Sequence, residues 1–189
     1  MTSSSSDVVQ LVKPSALATI LFCDMRGYAQ FGSGATPLQL IESLNSNFSV
    51  VVDTLKENHG TAAKFVGDAV FAYWLSEEQP NHAALACRFA ASLPERLSVV
   101  SSGVTTSIGI HTGNVAFVRF TSGNNRSPEP MGDAVNLASR LCGFCFHYKA
   151  KAVASEAVMT SAGGGQGWTL LDSATIKGRN EPVTLYGIL

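Results

Sequence analysis

Two aspartates, Asp24 and Asp68, each stand where an apolar run meets a turn: Leu21-Phe22-Cys23-Asp24-Met25-Arg26-Gly27-Tyr28 and Lys64-Phe65-Val66-Gly67-Asp68-Ala69. A desolvated carboxylate is costly unless something neutralises it. Two such strand endings point to carboxylates gathered around a hard divalent cation, whose shell substrate phosphates and water would complete. Singly, each aspartate is equally an ordinary turn former. Gly27 and Gly67 let the backbone approach a ligand, and the turn from Met25 to Tyr28 offers main-chain N–H groups to phosphate oxygens.

A second group lies in Gly132-Asp133-Ala134-Val135-Asn136-Leu137-Ala138-Ser139-Arg140. Asn136 and Arg140, four residues apart, share one helix face. An arginine there can meet a phosphate or an oxygen developing charge; the bland alternative is a solvated face. Lys177 and Arg179 put two cations in the turn Ile176-Lys177-Gly178-Arg179-Asn180-Glu181-Pro182. Lys64 sits inside an apolar strand, where an ammonium needs a partner or a role. Glu129, held between Pro128 and Pro130, is a candidate partner, and an edge-strand lysine with its tip in water is the alternative.

These residues need elements to hold them. Residues 1–14 read as a flexible polar lead-in closed by Pro14, with the folded domain spanning 15–189. Ala16–Cys23 has strand length. Thr36 caps a helix with Pro37 in its first turn, running through Leu55 and ending before His59-Gly60. Thr61–Val66 and Ala69–Leu75 form a hairpin across Gly67-Asp68, and Pro80–Leu93 is an Ala-rich helix. Val104–His111 and Val115–Phe120 are expected as a second hairpin around Thr112-Gly113-Asn114. A third helix, capped by Asp133, runs to about Cys145, followed by strands at Ala150–Ala154, Trp168–Leu171 and Pro182–Ile188. The order predicts an α+β fold: a ferredoxin-like, antiparallel-rich sheet with helices on one face.

Composition narrows the function classes. Of 189 residues, 46% are hydrophobic and only 14% charged, a balance that favours burial of surface in a partner. The net charge of −1 lacks the basic face that nucleic-acid binding requires, which also disfavours a polymerase palm. No apolar run is long enough for a membrane span, and the N-terminus has no secretory pattern. Cys23, Cys87, Cys142 and Cys145 sit in apolar contexts and read as reduced thiols of a cytoplasmic protein. The CxxC spacing of Cys142 and Cys145 is weak evidence by itself.

Taken together, LFCDMRGY, KFVGDAVFAYW, IGIHTGNV, GDAVNLASRL and IKGRNEPVTLY, in that order from about residue 15 to 189, resemble the catalytic domain of class III nucleotidyl cyclases. The resemblance implies that Asp24 and Asp68, helped by the Met25 carbonyl, hold two Mg²⁺ or Mn²⁺ ions. It implies in-line attack of the ribose 3′-hydroxyl on the α-phosphorus, with release of pyrophosphate. Arg140 would stabilise phosphate charge, Asn136 orient the ribose, and Lys177 bind the terminal phosphates alongside Gly27 and Tyr28. Lys64 matches the lysine that reads adenine in adenylate cyclases, and Glu129 takes the accompanying acceptor position. Glu129 departs from the residues usual there, and Val118-Arg119-Phe120-Thr121-Ser122 replaces a glycine-rich stretch. The implied protein is a homodimeric adenylate cyclase with active sites shared between chains. The alternatives are a guanylate or dual-specificity cyclase and a catalytically silent nucleotide-binding dimerisation domain. Silent members typically lose a metal aspartate or the helix arginine, and this chain keeps both.

Overall fold

A computed structural model of the chain describes residues 8–27, 34, 36–101, 103–121 and 127–189. The elements are β1 (Val9–Arg26), α1 (Pro37–Glu57), β2 (Thr61–Val66), β3 (Ala69–Leu75), α2 (His82–Val100) and β4 (Thr105–Phe120). Then come β5 (Glu129–Met131), α3 (Asp133–Tyr148), β6 (Ala152–Ser155), α4 (Glu156–Ala162), β7 (Thr169–Ala174) and β8 (Val183–Ile188). The strands form one sheet in the order β2-β3-β1-β4-β6-β8-β7, with β5 paired to β4. The β4–β6 pairing is parallel and the others are antiparallel. The fold is α+β, as the order of elements predicts.

Alternation along β1 builds two layers. Leu21, Cys23 and Met25 pack with Val51, Leu55, Phe89, Leu93 and Val158, contributed by α1, α2 and α4. Ala18 and Ile20 point the other way, against Ala134 and Ala138 of α3. Helices therefore cover both faces, not one. The reason lies in the two central strands: β1 is apolar on both sides, and β4 is buried on both, small residues such as Gly109 and Gly113 meeting α3.

Helix α1 starts as its sequence demands. The Thr36 hydroxyl accepts from the Gln39 N–H while the Gln39 side chain accepts from the Thr36 N–H, and Pro37 occupies the first turn. Trp74 is buried against Phe89 and donates its indole N–H to the Asn58 carbonyl at 2.8 Å, pinning the end of α1 to β3. Among the described residues, no helix is long and apolar enough to cross a membrane.

Several expectations change. Val104–Phe120 is not a hairpin: Leu17, Ala18 and Thr19 of β1 pair with Asn114, Gly113 and Thr112, so the supposed turn is straight ladder. Gly113 is small there because Ala134 of α3 lies against it, its Cβ 3.0 Å from where a Gly113 side chain would begin. The lead-in ends earlier than expected, since Val9–Lys13 are strand and pair with Phe117–Phe120. Pro14 falls where the pairing register shifts, a place that tolerates its missing N–H. Helix α2 continues through Pro94 to Val100. Gly132, not Asp133, is the cap of α3, with Asp133 in its first turn. The short elements β5 and α4 carried too little periodicity to be read.

Candidate active site

Asp24 lies near the end of β1 opposite Ala69, the first residue of β3. The Met25 N–H donates to the Asp68 carbonyl at 3.3 Å, which joins the β2–β3 turn to the end of β1. Two carboxylates 44 positions apart in sequence thus come within range of each other's charge. Burial, and then the Asp68 charge, raises the Asp24 carboxyl above the ordinary carboxylate value, while Arg26 acts against the rise. Both side chains remain partly accessible.

The neighbours serve this pair through their backbones. The Met25 side chain is buried in the core, so only its main chain can face a ligand. Gly27 has φ +88°, and a side chain there would meet the Gly103 carbonyl oxygen at 2.4 Å. Only glycine fits that turn. Gly67, at φ +61°, makes the tight β2–β3 connection that presents Asp68. Tyr28 lies outside the described residues.

Lys64 and Glu129 meet. The Lys64 Nζ is 3.4 Å from Glu129 Oε2, bringing together residues from β2 and β5. Lys64 is exposed, as an edge-strand lysine would be, and β2 is indeed the sheet's outer strand. It has a partner as well, so both readings of this residue hold in part.

On α3, Asn136 and Arg140 are exposed one turn apart. The Arg140 guanidinium donates to the Lys177 main-chain carbonyl, and both residues line a cavity of about 470 Å³. Neither Asp24 nor Asp68 lines it. The Lys177 turn is tied to α3 a second time by Arg179, whose Nη2 is 3.0 Å from Asp133 Oδ2. Asp133 and Arg179 were visible in the sequence, but an ion pair between distant elements leaves no local spacing to read. The structure therefore assembles three pairs on one chain: Asp24 with Asp68, Lys64 with Glu129, and Arg140 with Lys177.

Among the described residues, no three His, Cys, Asp or Glu side chains gather as a metal cluster. A cation at Asp24 and Asp68 would take two carboxylates, then main-chain and substrate oxygens, a donor set suited to Mg²⁺ or Mn²⁺. Burial, and then the Asp68 charge, raises Asp24, and a bound cation offsets both, so the residues fit. The cysteines are free, and burial pushes the Cys142 thiol up to about 12 and that of Cys145 to about 11.

Comparison with known proteins adds the following. The family described as "Adenylate and Guanylate cyclase catalytic domain" matches residues 11–187. Adenylate cyclase 1 of Rhizobium meliloti is 29% identical over 180 residues, covering 90% of this chain and 27% of the relative. The adenylate cyclase of Anabaena cylindrica is 29% identical over 183 residues, covering 90% and 36%. The chain thus spans about a third or less of these relatives' length. Among solved structures, the adenylyl cyclase CyaB from P. aeruginosa superposes with TM-score 0.80 at 21% identity, covering 96% of this chain and 95% of that one. The guanylate cyclase domain of RhGC from Catenaria anguillulae, solved with GTP, gives 0.78 at 21%, covering 92% and 96%.

Proposed function

Because the chain belongs to the adenylate and guanylate cyclase catalytic domain family, we propose that it is an adenylate cyclase, converting ATP to 3′,5′-cyclic AMP and pyrophosphate in the cytoplasm. The observation that carries this reading is the convergence of Asp24 and Asp68 from separate strand ends. Those two carboxylates and the Met25 carbonyl would hold two Mg²⁺ or Mn²⁺ ions. When bound, the ions supply Lewis acidity toward the ribose 3′-hydroxyl and the phosphates.

The chain's own groups do the rest. The turn at Gly27, with Tyr28 next in the sequence, would give main-chain N–H groups to the phosphates. Arg140 takes up charge on the α-phosphate and on the leaving pyrophosphate as the 3′-oxygen bonds to phosphorus and the bridging oxygen departs. Lys177 binds the terminal phosphates, and Asn136 orients the ribose. The Arg140–Lys177 cavity lacks both aspartates, which favours a two-fold dimer in which one chain offers the carboxylates and its partner offers the α3 residues. Exposed apolar side chains, including Phe65, Val66 and Met131, suit such burial.

The Lys64–Glu129 pair would read the base: Lys64 donates to adenine N1 and Glu129 accepts from the N6 amino group. The same pair supports a second reading, since Lys64 can donate to guanine O6 while Glu129 accepts from N1 and N2. Purified protein assayed with ATP and GTP in parallel, with Mn²⁺ and with Mg²⁺, should give cyclic AMP faster; faster cyclic GMP would reverse the base assignment. Mixing inactive Asp24→Ala with inactive Arg140→Ala chains should restore partial turnover through one intact site per mixed dimer. A mixture as dead as its components would refute the shared site.

A further inference from the structure

Beside these groups, at the C-terminal end of α3, lies a cavity of about 780 Å³. Four basic residues line it, Arg26, His147, Lys149 and Lys151, with no carboxylate among the lining residues. We propose that this cavity is a binding site for a small phosphate-bearing anion, held by those four side chains and separate from the Arg140–Lys177 cavity.

The charges come from separate elements. Arg26 ends β1, His147 is in the last turn of α3, Lys149 follows that helix, and Lys151 immediately precedes β6. Basic groups at a helix C-terminus commonly offset the helix dipole, which accounts for His147 and Lys149. It does not account for Arg26, brought in from the far side of β4, or for Lys151. Among the described residues none of the four forms an ion pair with a side-chain carboxylate. Arg26 rests over the exposed Phe146 ring at 5.5 Å, and Lys151 Nζ donates to the main-chain oxygen of Leu189, the last residue of the sequence, at 2.8 Å. Like charges gathered around one cavity repel one another, and an anion converts that repulsion into charge-assisted hydrogen bonds.

One further feature favours a ligand. The volume lies in the range that encloses small molecules. The cavity shares only Gly143 and His147 with the Arg140–Lys177 cavity. Arg26 lies two residues beyond Asp24 on the same face of β1, so an occupant would bear on the charge that acts on that carboxylate.

The test is calorimetric titration of the full chain with inorganic triphosphate in excess EDTA, where no divalent cation holds phosphate at the aspartates. Expected is saturable, salt-sensitive binding that persists in Asp24→Ala/Lys177→Ala and weakens at least about tenfold in Lys149→Gln/Lys151→Gln. The charge-keeping pair Lys149→Arg/Lys151→Arg should restore it, which separates lost charge from lost fold. No saturable binding in EDTA, equal binding by the Gln pair, or loss in Asp24→Ala/Lys177→Ala would each overturn the proposal. None of these readouts involves turnover, so they stand apart from the cyclase assays.

Discussion

Replacing Gly109 by Ala tests how α3 is held against the sheet. A Cβ at this β4 position would lie 2.2 Å from both the Ala138 carbonyl oxygen and the Cys142 nitrogen, and 2.9 Å from the Cys142 Cα. All three are backbone atoms of α3, so no side-chain rotation relieves the overlap. The thiols of Cys142 and Cys145 also donate to the Ser107 and Ile108 carbonyls at 3.0 and 3.2 Å, fixing the helix at this spot. Ordinary contact requires the helix to retreat by about 1 Å, and overpacking of this kind costs about 1–3 kcal/mol. For a domain of this size that lowers the thermal midpoint by about 2–10 °C. The same helix carries Asn136 and Arg140, and a displacement of about 1 Å in a reacting group can cost about 10²-fold in rate. Gly143, on α3 itself, is the control: nothing lies within 4 Å of its would-be Cβ, so Gly143→Ala should stabilise by about 0.5–1 kcal/mol. Calorimetry and cyclic-nucleotide assays on both variants decide the matter. Wild-type stability and turnover in Gly109→Ala would refute the close approach of α3 to β4.

Asp24 should make cation binding pH-dependent. Its folded carboxyl is raised, so metal-free protein is destabilised as pH rises through that value, and Mn²⁺ should restore stability in the same window. Asp68→Asn removes part of the rise and should shift the window to lower pH; thermal melts at several pH values, with and without Mn²⁺, would show it. His111, buried and bonded through Nδ1 to the Ser155 hydroxyl at 2.7 Å, is pushed down to about 4, chiefly by burial. Its contribution, up to about 3 kcal/mol, is complete above the ordinary histidine range and lost as pH falls from there toward 4. Denaturant titrations should show that slope in the parent and a flatter one in His111→Gln. Lys64→Ala should lower kcat/KM for ATP by about tenfold or more, as loss of a charged hydrogen bond predicts, while circular dichroism stays unchanged because the side chain is exposed.

The sequence by itself determined the parts whose signals are local. The capped start of α1, the β2–β3 hairpin at Gly67-Asp68 and the helical face shared by Asn136 and Arg140 all follow from turn chemistry and periodicity over a few residues. The motif order was equally legible, and with it the family. Local rules failed where a glycine served packing. Gly113 reads as a turn residue but sits mid-strand under Ala134, and a chain fragment carries no trace of the helix that will lie across it. The same limit hid the placement of α3 on the opposite face from α1, α2 and α4. It also hid the Arg179–Asp133 tie and the convergence of Arg26 with Lys149 and Lys151. Each depends on distances between segments far apart along the chain. Such distances are set when both faces of β1 and β4 are buried together, and only the tertiary structure could decide them.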